Sequence, residues 1–269
     1  MAALDAAGIG AEPIVWDAPP TGLNHLDGLI VRSTWNYHLS VVRFLDWLGA
    51  FPAATQVWNP LPLIRWNSDK RYLLELADRG LAVVPTEYLA PDSPESLRAV
   101  LDRRHWDRVV LKPAVGASAY LAKVVDRGDL AAGQDHLRAI QAHSGALVQP
   151  FLEEVARQGE QSLIFLAGEY SHAIHYRLPF DHGLELRHAD PFDPTDDAIN
   201  LARRVVSVLR PEPIYARIDL VPGPDGAPLL GEAELIEPDL FLRHHPRAPE
   251  RLAGAIRARL GALPGGAAA

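Results

Sequence analysis

Val110-Leu111-Lys112-Pro113-Ala114-Val115-Gly116-Ala117-Ser118-Ala119-Tyr120 sets an apolar strand and a lysine directly before a loop of small residues. A loop of Gly, Ala and Ser lets backbone N–H groups approach an anion closely, and the lysine ammonium adds a point charge for the same anion. Lys112 with Gly116, Ala117 and Ser118 therefore reads as a phosphate cradle. Farther along come Arg217-Ile218-Asp219-Leu220 and Gly231-Glu232-Ala233-Glu234-Leu235. Period-two alternation puts Arg217 with Asp219, and Glu232 with Glu234, on common strand faces. Carboxylates gathered this way repel unless a cation joins them, and the hard-cation reading is Mg2+, on Asp219, Glu232 and Glu234, bridging to nucleotide phosphates. The loop and the acidic hairpin together describe a nucleotide site.

The chain around that site has 269 residues, 48% of them hydrophobic and 22% charged, enough for a sizeable core divided into two or three lobes. A net charge of -8 argues against nucleic acid as a partner, which would need a basic stripe. No apolar run is long enough for a bilayer, and the N-terminus lacks the regions of a secretory signal, so no membrane partner is expected and the cytoplasm is the expected location. The absence of cysteine excludes disulfides, thiolate catalysis and cysteine-ligated zinc, and the 11 histidines show no zinc spacing. Ser118 lacks the strand–elbow–helix surroundings of a hydrolase nucleophile and is placed as a phosphate donor.

Element signals fill the intervals. Met1 to Gly10 reads as a helix ended by glycine, Pro13 to Trp16 as a strand, Asp27 to Arg32 as a parallel strand, and Ser40 to Phe51 as an amphipathic helix with Val41, Phe44, Leu45 and Leu48 on one side. Asn59 to Pro62 is expected as a turn or linker and Lys70 to Leu81 as a helix closed by Gly80. Val83 to Leu89 predicts a strand, Ser93 to Arg103 a helix capped by Ser93, and Leu130 to Ala142 another helix. Ala146 to Phe151 is a strand, Ser162 to Ala167 and Tyr170 to Tyr176 a hairpin turning at Gly168-Glu169, and Thr195 to Leu209 a capped helix. A last hairpin pairs Ile214 to Val221 with Leu229 to Ile236, before a helix over Arg247 to Leu260. Arg32, Ser33, Trp35 and Tyr37 follow a strand end, where open α/β sheets bind ligands, although a packing stack of Trp35 and Tyr37 would read the same way. By simple alternation Glu237 falls on the other strand face and is expected either to be structural or to stand behind the direct metal ligands.

Five segments in this order carry a family resemblance: Arg32-Ser33-Thr34-Trp35-Asn36-Tyr37, Trp66-Asn67-Ser68-Asp69-Lys70, the Lys112 loop, Leu147-Val148-Gln149-Pro150-Phe151-Leu152, and the acidic hairpin from Asp219 to Pro238. Over nearly its whole length the chain resembles the ATP-grasp superfamily, in its glutathione synthetase-like and D-cycloserine ligase-like branch. The resemblance implies an α+β fold: an N-terminal α/β lobe with a parallel sheet lacking its first strand (1–65), a central lid subdomain (66–148), a C-terminal core subdomain (149–264) and a tail (265–269), with ATP held between the last two lobes. It implies Lys70 beside Lys112 on the phosphates, the backbone of Gln149, Pro150, Phe151 and Leu152 at the adenine, and Glu153 or Glu160 near nucleotide hydroxyl or amino groups. Arg177 and Arg187 stand where related ligases shape their acyl site.

Such enzymes activate a carboxylate as an acyl phosphate that an amine then attacks. The residues fit that chemistry: phosphoryl transfer needs charge neutralisation and alignment, and the planar fork of Arg217 suits the oxygens of an acyl phosphate. The expectation is an ATP- and Mg2+-dependent carboxylate–amine ligase acting on small-molecule carboxylate and amine substrates. Its rivals are an intramolecular cyclising ligase of the D-cycloserine type, an ATP-binding protein without catalysis, and a scaffold partner in a biosynthetic complex. An incomplete N-terminal sheet edge suggests a homodimer.

Overall fold

The computed structural model describes residues 1–18, 26–176 and 189–262. Helix α1 (Ala2–Ala6) ends near Gly8, whose φ of 71° only glycine adopts readily. The following Pro13 to Trp16 is not the expected strand, because Trp16 turns inward instead: its ring meets Phe44 edge-on at 5.3 Å and its Nε1 donates to Asn36 Oδ1 at 2.7 Å. Strands β1 (Gly28–Ile30) and β2 (Gln56–Trp58) pair in parallel, as expected for the first lobe. Helix α2 (Val41–Gly49) crosses between them and buries Phe44, Leu45 and Leu48 against Leu29, Val31 and Ile64. Asn59 and Pro60 form the expected connection, but Leu61 and Pro62 already belong to helix α3 (Leu61–Asn67). A proline in a first turn costs nothing there, since its missing N–H would be unpaired anyway.

Helix α4 (Tyr72–Asp78) leads through Gly80 (φ 76°) to strand β3 (Glu87–Leu89), which is shorter than expected because Val83 forms an isolated bridge with Leu230 instead. Helix α5 (Leu97–Arg104) starts three residues later than predicted: Ser96, not Ser93, accepts from Ala99 N at 3.2 Å. Strands β4 (Arg108–Pro113), β5 (Lys123–Asp126) and β6 (Ala146–Pro150) join β3 in a four-stranded antiparallel sheet of order β3-β6-β4-β5. Helix α6 (Leu130–Gln141) packs with α5 on one face of it, burying Leu97, Leu101, Leu137 and Ile140 against Val109 and Leu111.

The third sheet is antiparallel, in the order β11-β10-β7-β8-β9, with β7 (Glu160–Leu166), β8 (Glu169–Tyr176), β9 (Ala189–Pro191), β10 (Tyr215–Pro222) and β11 (Pro228–Glu234). The β7–β8 turn is Ala167-Gly168, with φ of 49° and 79°, one residue before the predicted position because Glu169 pairs with Leu166. A short helix α7 (Glu153–Gln158), unmarked in the sequence, precedes β7. Helix α8 (Asp196–Val208), capped by Thr195 as expected, covers one face through Leu201, Ala202 and Val205. Helix α9 (Ala248–Gly261) covers the other, where Leu252 and Ile256 meet Ile164 and Tyr215.

The outer edge of β11 and the chain just beyond it pair mainly with side chains, and with a neighbouring backbone segment only at Leu230. Asn59 Nδ2 donates to Leu235 O at 2.7 Å and Asn67 Nδ2 to Ala233 O at 2.7 Å, while Asn67 Oδ1 accepts from Leu235 N at 2.9 Å. The Tyr72 hydroxyl accepts from Ala233 N at 2.9 Å, and Ala82 and Val84 bond to the backbone of Leu230. These buried amides satisfy polar groups that would otherwise cost stability.

Candidate active site

Alternation along β4 buries Val109, Leu111 and Pro113 and turns Lys112 to the face away from α5 and α6. Burial pushes the Lys112 ammonium pKa down, and Glu232, Lys70, Glu160 and Asp219 are the charges it faces. Among the described residues no carboxylate is ion-paired to it. After β4 the chain makes a tight loop in which Ser118 and Ala119 hold φ of 51° and 57°. A Cβ on Gly116 would meet Pro113 Cγ at 2.9 Å, so a side chain here would force the proline ring or the turn to shift. Lys70 straps the loop from below: its N donates to Ala114 O at 2.7 Å, its Nζ to Gly116 O at 2.9 Å, and the same ammonium pairs with Glu232. Burial opposes the Lys70 charge, yet Glu232, Glu234 and Glu237 outweigh it and its pKa is raised.

The hairpin register sets Asp219 opposite Glu232 and Arg217 opposite Glu234, as alternation predicts. Arg217 Nε donates to Asp219 Oδ1 and NH2 to Asp219 Oδ2, each at 2.9 Å, and NH2 also pairs with Glu234. Ser162 Oγ donates to Asp219 Oδ1 at 2.5 Å. All three expected metal ligands are thus turned towards a basic side chain. Among the described residues no group of three or more His, Asp or Glu is gathered into a preformed metal cage. The donor set nonetheless fits a hard cation, because negative charge is in surplus. Burial and then Asp219 push the Glu160 carboxyl up to about 7, although the Tyr176 hydroxyl donates to it at 2.9 Å. Burial raises Glu234 to about 7, with Asp219 and Glu232 adding to the rise, and raises Glu237 to about 8, with Glu234 adding.

The segment after β1 closes one wall. Tyr37 is buried, and its hydroxyl pKa is raised well above the ordinary value by burial and by Glu237, Glu232 and Glu234. Trp35, more than half exposed, donates from Nε1 to Glu237 O at 3.2 Å, and the Arg32 guanidinium lies over the Tyr215 ring at 5.3 Å. Ser33 is exposed beside them. His38, unremarked in the sequence, lies 5.0 Å from the Tyr120 ring of the small-residue loop, and burial lowers its pKa. The strand ends at Glu234, so alternation no longer applies, and Glu237 joins the acidic side of the site.

The expected adenine edge is partly engaged elsewhere. Gln149 Nε2 donates to Thr86 Oγ1 at 2.8 Å, and Phe151 N donates to Arg108 O at 2.9 Å under an Arg108 guanidinium 4.0 Å from its ring. Pro150 ends β6 and Leu152 precedes α7. Glu153 is 63% exposed and pairs with Arg108 at 3.4 Å, whereas Glu160 faces Lys112 and Asp219. Of the two glutamates only Glu160 stands with the cluster. Arg177 and Arg187 lie outside the described residues.

Residues 1–59 match the family model described as "D-cycloserine synthetase DcsG, N-terminal domain". Cycloserine biosynthesis protein DcsG of Streptomyces lavendulae is 33% identical over 276 residues, covering 97% of this chain and 92% of that protein. The chain belongs to the DcsG family of ATP-grasp ligases. The DcsG family likeness extends to structure: the crystal structure of D-cycloserine synthetase DcsG superposes with a TM-score of 0.89 at 31% identity, covering 96% of this chain and 92% of that one. The ATP-grasp ligase PsnB, solved with its minimal precursor, Mg and ADP, shares the fold at a TM-score of 0.61 and 17% identity, covering 87% of this chain and 78% of its own. No helix among the described residues of this DcsG family member is long and apolar enough to cross a membrane.

Proposed function

We propose that the chain uses ATP and Mg2+ to convert a carboxylate of a small amino-acid-like substrate to an acyl phosphate and then joins that carbon to nitrogen. The observation that carries this reading is the gathering of the Asp219, Glu232 and Glu234 carboxylates around Lys70 and Lys112, the two lysines that adjoin the small-residue loop. Transfer of the γ-phosphoryl group asks for alignment and charge neutralisation more than covalent help from the protein. Lys112, buried without an ion-pair partner, is held ready for an anion, and Lys70 can exchange Glu232 for a phosphate oxygen. Asp219, Glu232 and Glu234 are the residues that would hold Mg2+, which supplies Lewis-acid stabilisation of the phosphate oxygens. Arg217, held by Asp219 and Glu234, is the residue whose planar fork would steady the oxygens of the acyl phosphate. The γ-phosphoryl passes to the carboxylate and ADP leaves. Nitrogen then attacks the acyl carbon, and phosphate leaves with the displaced oxygen.

The full-length similarity to DcsG favours a form in which carboxylate and nitrogen belong to one molecule, so that a ring closes. Mass analysis separates the forms: ring closure gives a product lighter than its substrate by one water with no second substrate required. The experiment for the general reading is a carboxylate-dependent assay of nucleotide products. ADP and phosphate are expected, and AMP with pyrophosphate would point to adenylation instead. Lys112→Ala should lower turnover by about 100- to 1000-fold while leaving the thermal midpoint near that of the parent. Tight nucleotide binding with no turnover on a broad panel of acids and amines would displace the catalytic reading in favour of a nucleotide-binding protein.

A further inference from the structure

Phe241 holds φ of 48°, a left-handed backbone that a bulky side chain adopts only when its surroundings impose it. Asp239 Oδ1 accepts from Phe241 N at 2.7 Å while Asp239 Oδ2 pairs with Arg243 NH1 at 2.9 Å, so one carboxylate ties both sides of the bend. His172 Nε2 lies 3.0 Å from Leu240 O, and because a carbonyl only accepts, that nitrogen carries the proton and fixes the residue before the bend. On the far side Phe241 O accepts from His244 N at 2.9 Å. What the bend achieves is the placement of one ring. Phe241 is 7% exposed, with the Arg217 guanidinium 6.0 Å from its ring centre and the Arg243 guanidinium at 5.4 Å.

Arg217 is otherwise held by carboxylates that have a second task. Asp219 and Glu234 accept from its Nε and NH2, and both belong to the set that would hold Mg2+. A carboxylate drawn to a divalent cation has less negative charge left for a guanidinium. Among the described residues, two holds on Arg217 come from groups outside that set: the Phe241 ring, and the Asp239 carbonyl at 3.5 Å from NH1. We infer that Phe241 is a positioning residue, its ring keeping the Arg217 guanidinium aimed once Asp219 and Glu234 engage the cation. The inference rests on the ligase reading, in which Arg217 steadies the acyl phosphate. An aromatic face attracts a guanidinium through its quadrupole, and the attraction strengthens where water is excluded. A leucine or methionine in this place would fill the space without that attraction.

The test compares the full chain with Phe241→Leu, Phe241→Met and Phe241→Tyr. The Leu and Met variants should lower kcat about tenfold while KM for ATP stays within about twofold of the parent, and the Tyr variant, which keeps the face, should restore kcat to within about threefold. A purely structural role would lower the urea midpoint of the Leu and Met variants without this split. A second readout needs no turnover. The Nε–H resonance of Arg217, assigned by its loss in Arg217→Lys, should be one sharp line in the parent loaded with Mg2+ and a non-hydrolysable ATP analogue, and should broaden or double in Phe241→Leu. Asp239→Ala, which leaves the ring whole but frees its backbone, should broaden the same line and serves if the Leu and Met variants do not fold. The inference is overturned if a folded Leu or Met variant keeps kcat within about twofold of the parent, if Phe241→Tyr falls as far as they do, or if the Arg217 line stays sharp in these variants. A parent chain that releases no ADP with any carboxylate sinks the ligase reading, whereas the Arg217 line still reports on the ring.

Discussion

Asp219 accepts from Arg217 Nε and NH2 and from Ser162 Oγ while almost wholly buried, so removing it leaves a buried guanidinium with Glu234 as its remaining ion-pair partner and two of its donors without their acceptor. Breaking a buried pair by deleting one partner costs about 3–5 kcal/mol, and Asp219→Ala should lose that much in urea denaturation, with or without any effect on catalysis. Lys112 is the reverse case. Its charge is buried without an ion pair, so truncation to alanine should leave folding stability unchanged or raise it, and the damage should appear in turnover alone. The pairing of Arg217 with Asp219 and of Glu232 with Glu234 was legible in the sequence because a strand has a fixed period of two. Glu237 was not, because the period stops where the strand stops, and nothing in Glu234-Leu235-Ile236-Glu237 marks that point. His38 was equally hidden, since its stacking partner Tyr120 comes from a loop 82 positions away, as its number shows against 38.

At the level of elements, the signals that held were long and amphipathic, as in α2, α6 and α8, or set by glycine, as at Gly80. Short helices such as α3 and α7 escaped because fewer than two turns leave no periodicity to detect, and their stability comes from packing and chain direction. The start of α5 shows how a cap is misplaced when two serines compete. Ser93 and Ser96 both precede the apolar run, and only the second accepts from the N3 amide. Ser96→Ala should therefore cost about 1 kcal/mol in urea unfolding, against near zero for Ser93→Ala. The β7–β8 turn offers the opposite opportunity. Ala167 holds φ 49°, so Ala167→Gly should stabilise the chain by about 0.5–1 kcal/mol, read as a raised urea midpoint at unchanged slope.

Taken as a whole molecule, the free protein carries more negative charge around its cleft than its cations neutralise. Glu160 illustrates the consequence for pH: burial and Asp219 raise its carboxyl from 4.5 to about 7, so the folded chain retains a proton that the unfolded chain releases. Stability attributable to this group is present below the unfolded value and is lost as pH rises through the folded one. The thermal midpoint of the nucleotide-free protein should fall between about pH 5 and pH 8, and Glu160→Gln should flatten that slope. Adding Mg2+ and an ATP analogue should protect most strongly at the alkaline end of the same range, because the carboxylates must then be ionised to meet the added cations. The fold class was readable from five short segments, whereas the seams within it were not, since hydrogen bonds such as those from Asn59 and Asn67 join positions far apart in the chain.

Those amides also govern how the polypeptide can be cut. Because Asn59, Asn67 and Tyr72 stand in for a missing strand beside Ala233 and Leu235, the C-terminal sheet is finished by the N-terminal third of the molecule. A fragment excised after Pro60 would carry the sheet but lose the carboxamide that serves Ile214, Tyr215 and Leu235, leaving those peptide groups orphaned in the interior. Autonomy therefore belongs to the intact chain, and supplying the first sixty residues in trans is the natural way to rescue such a fragment.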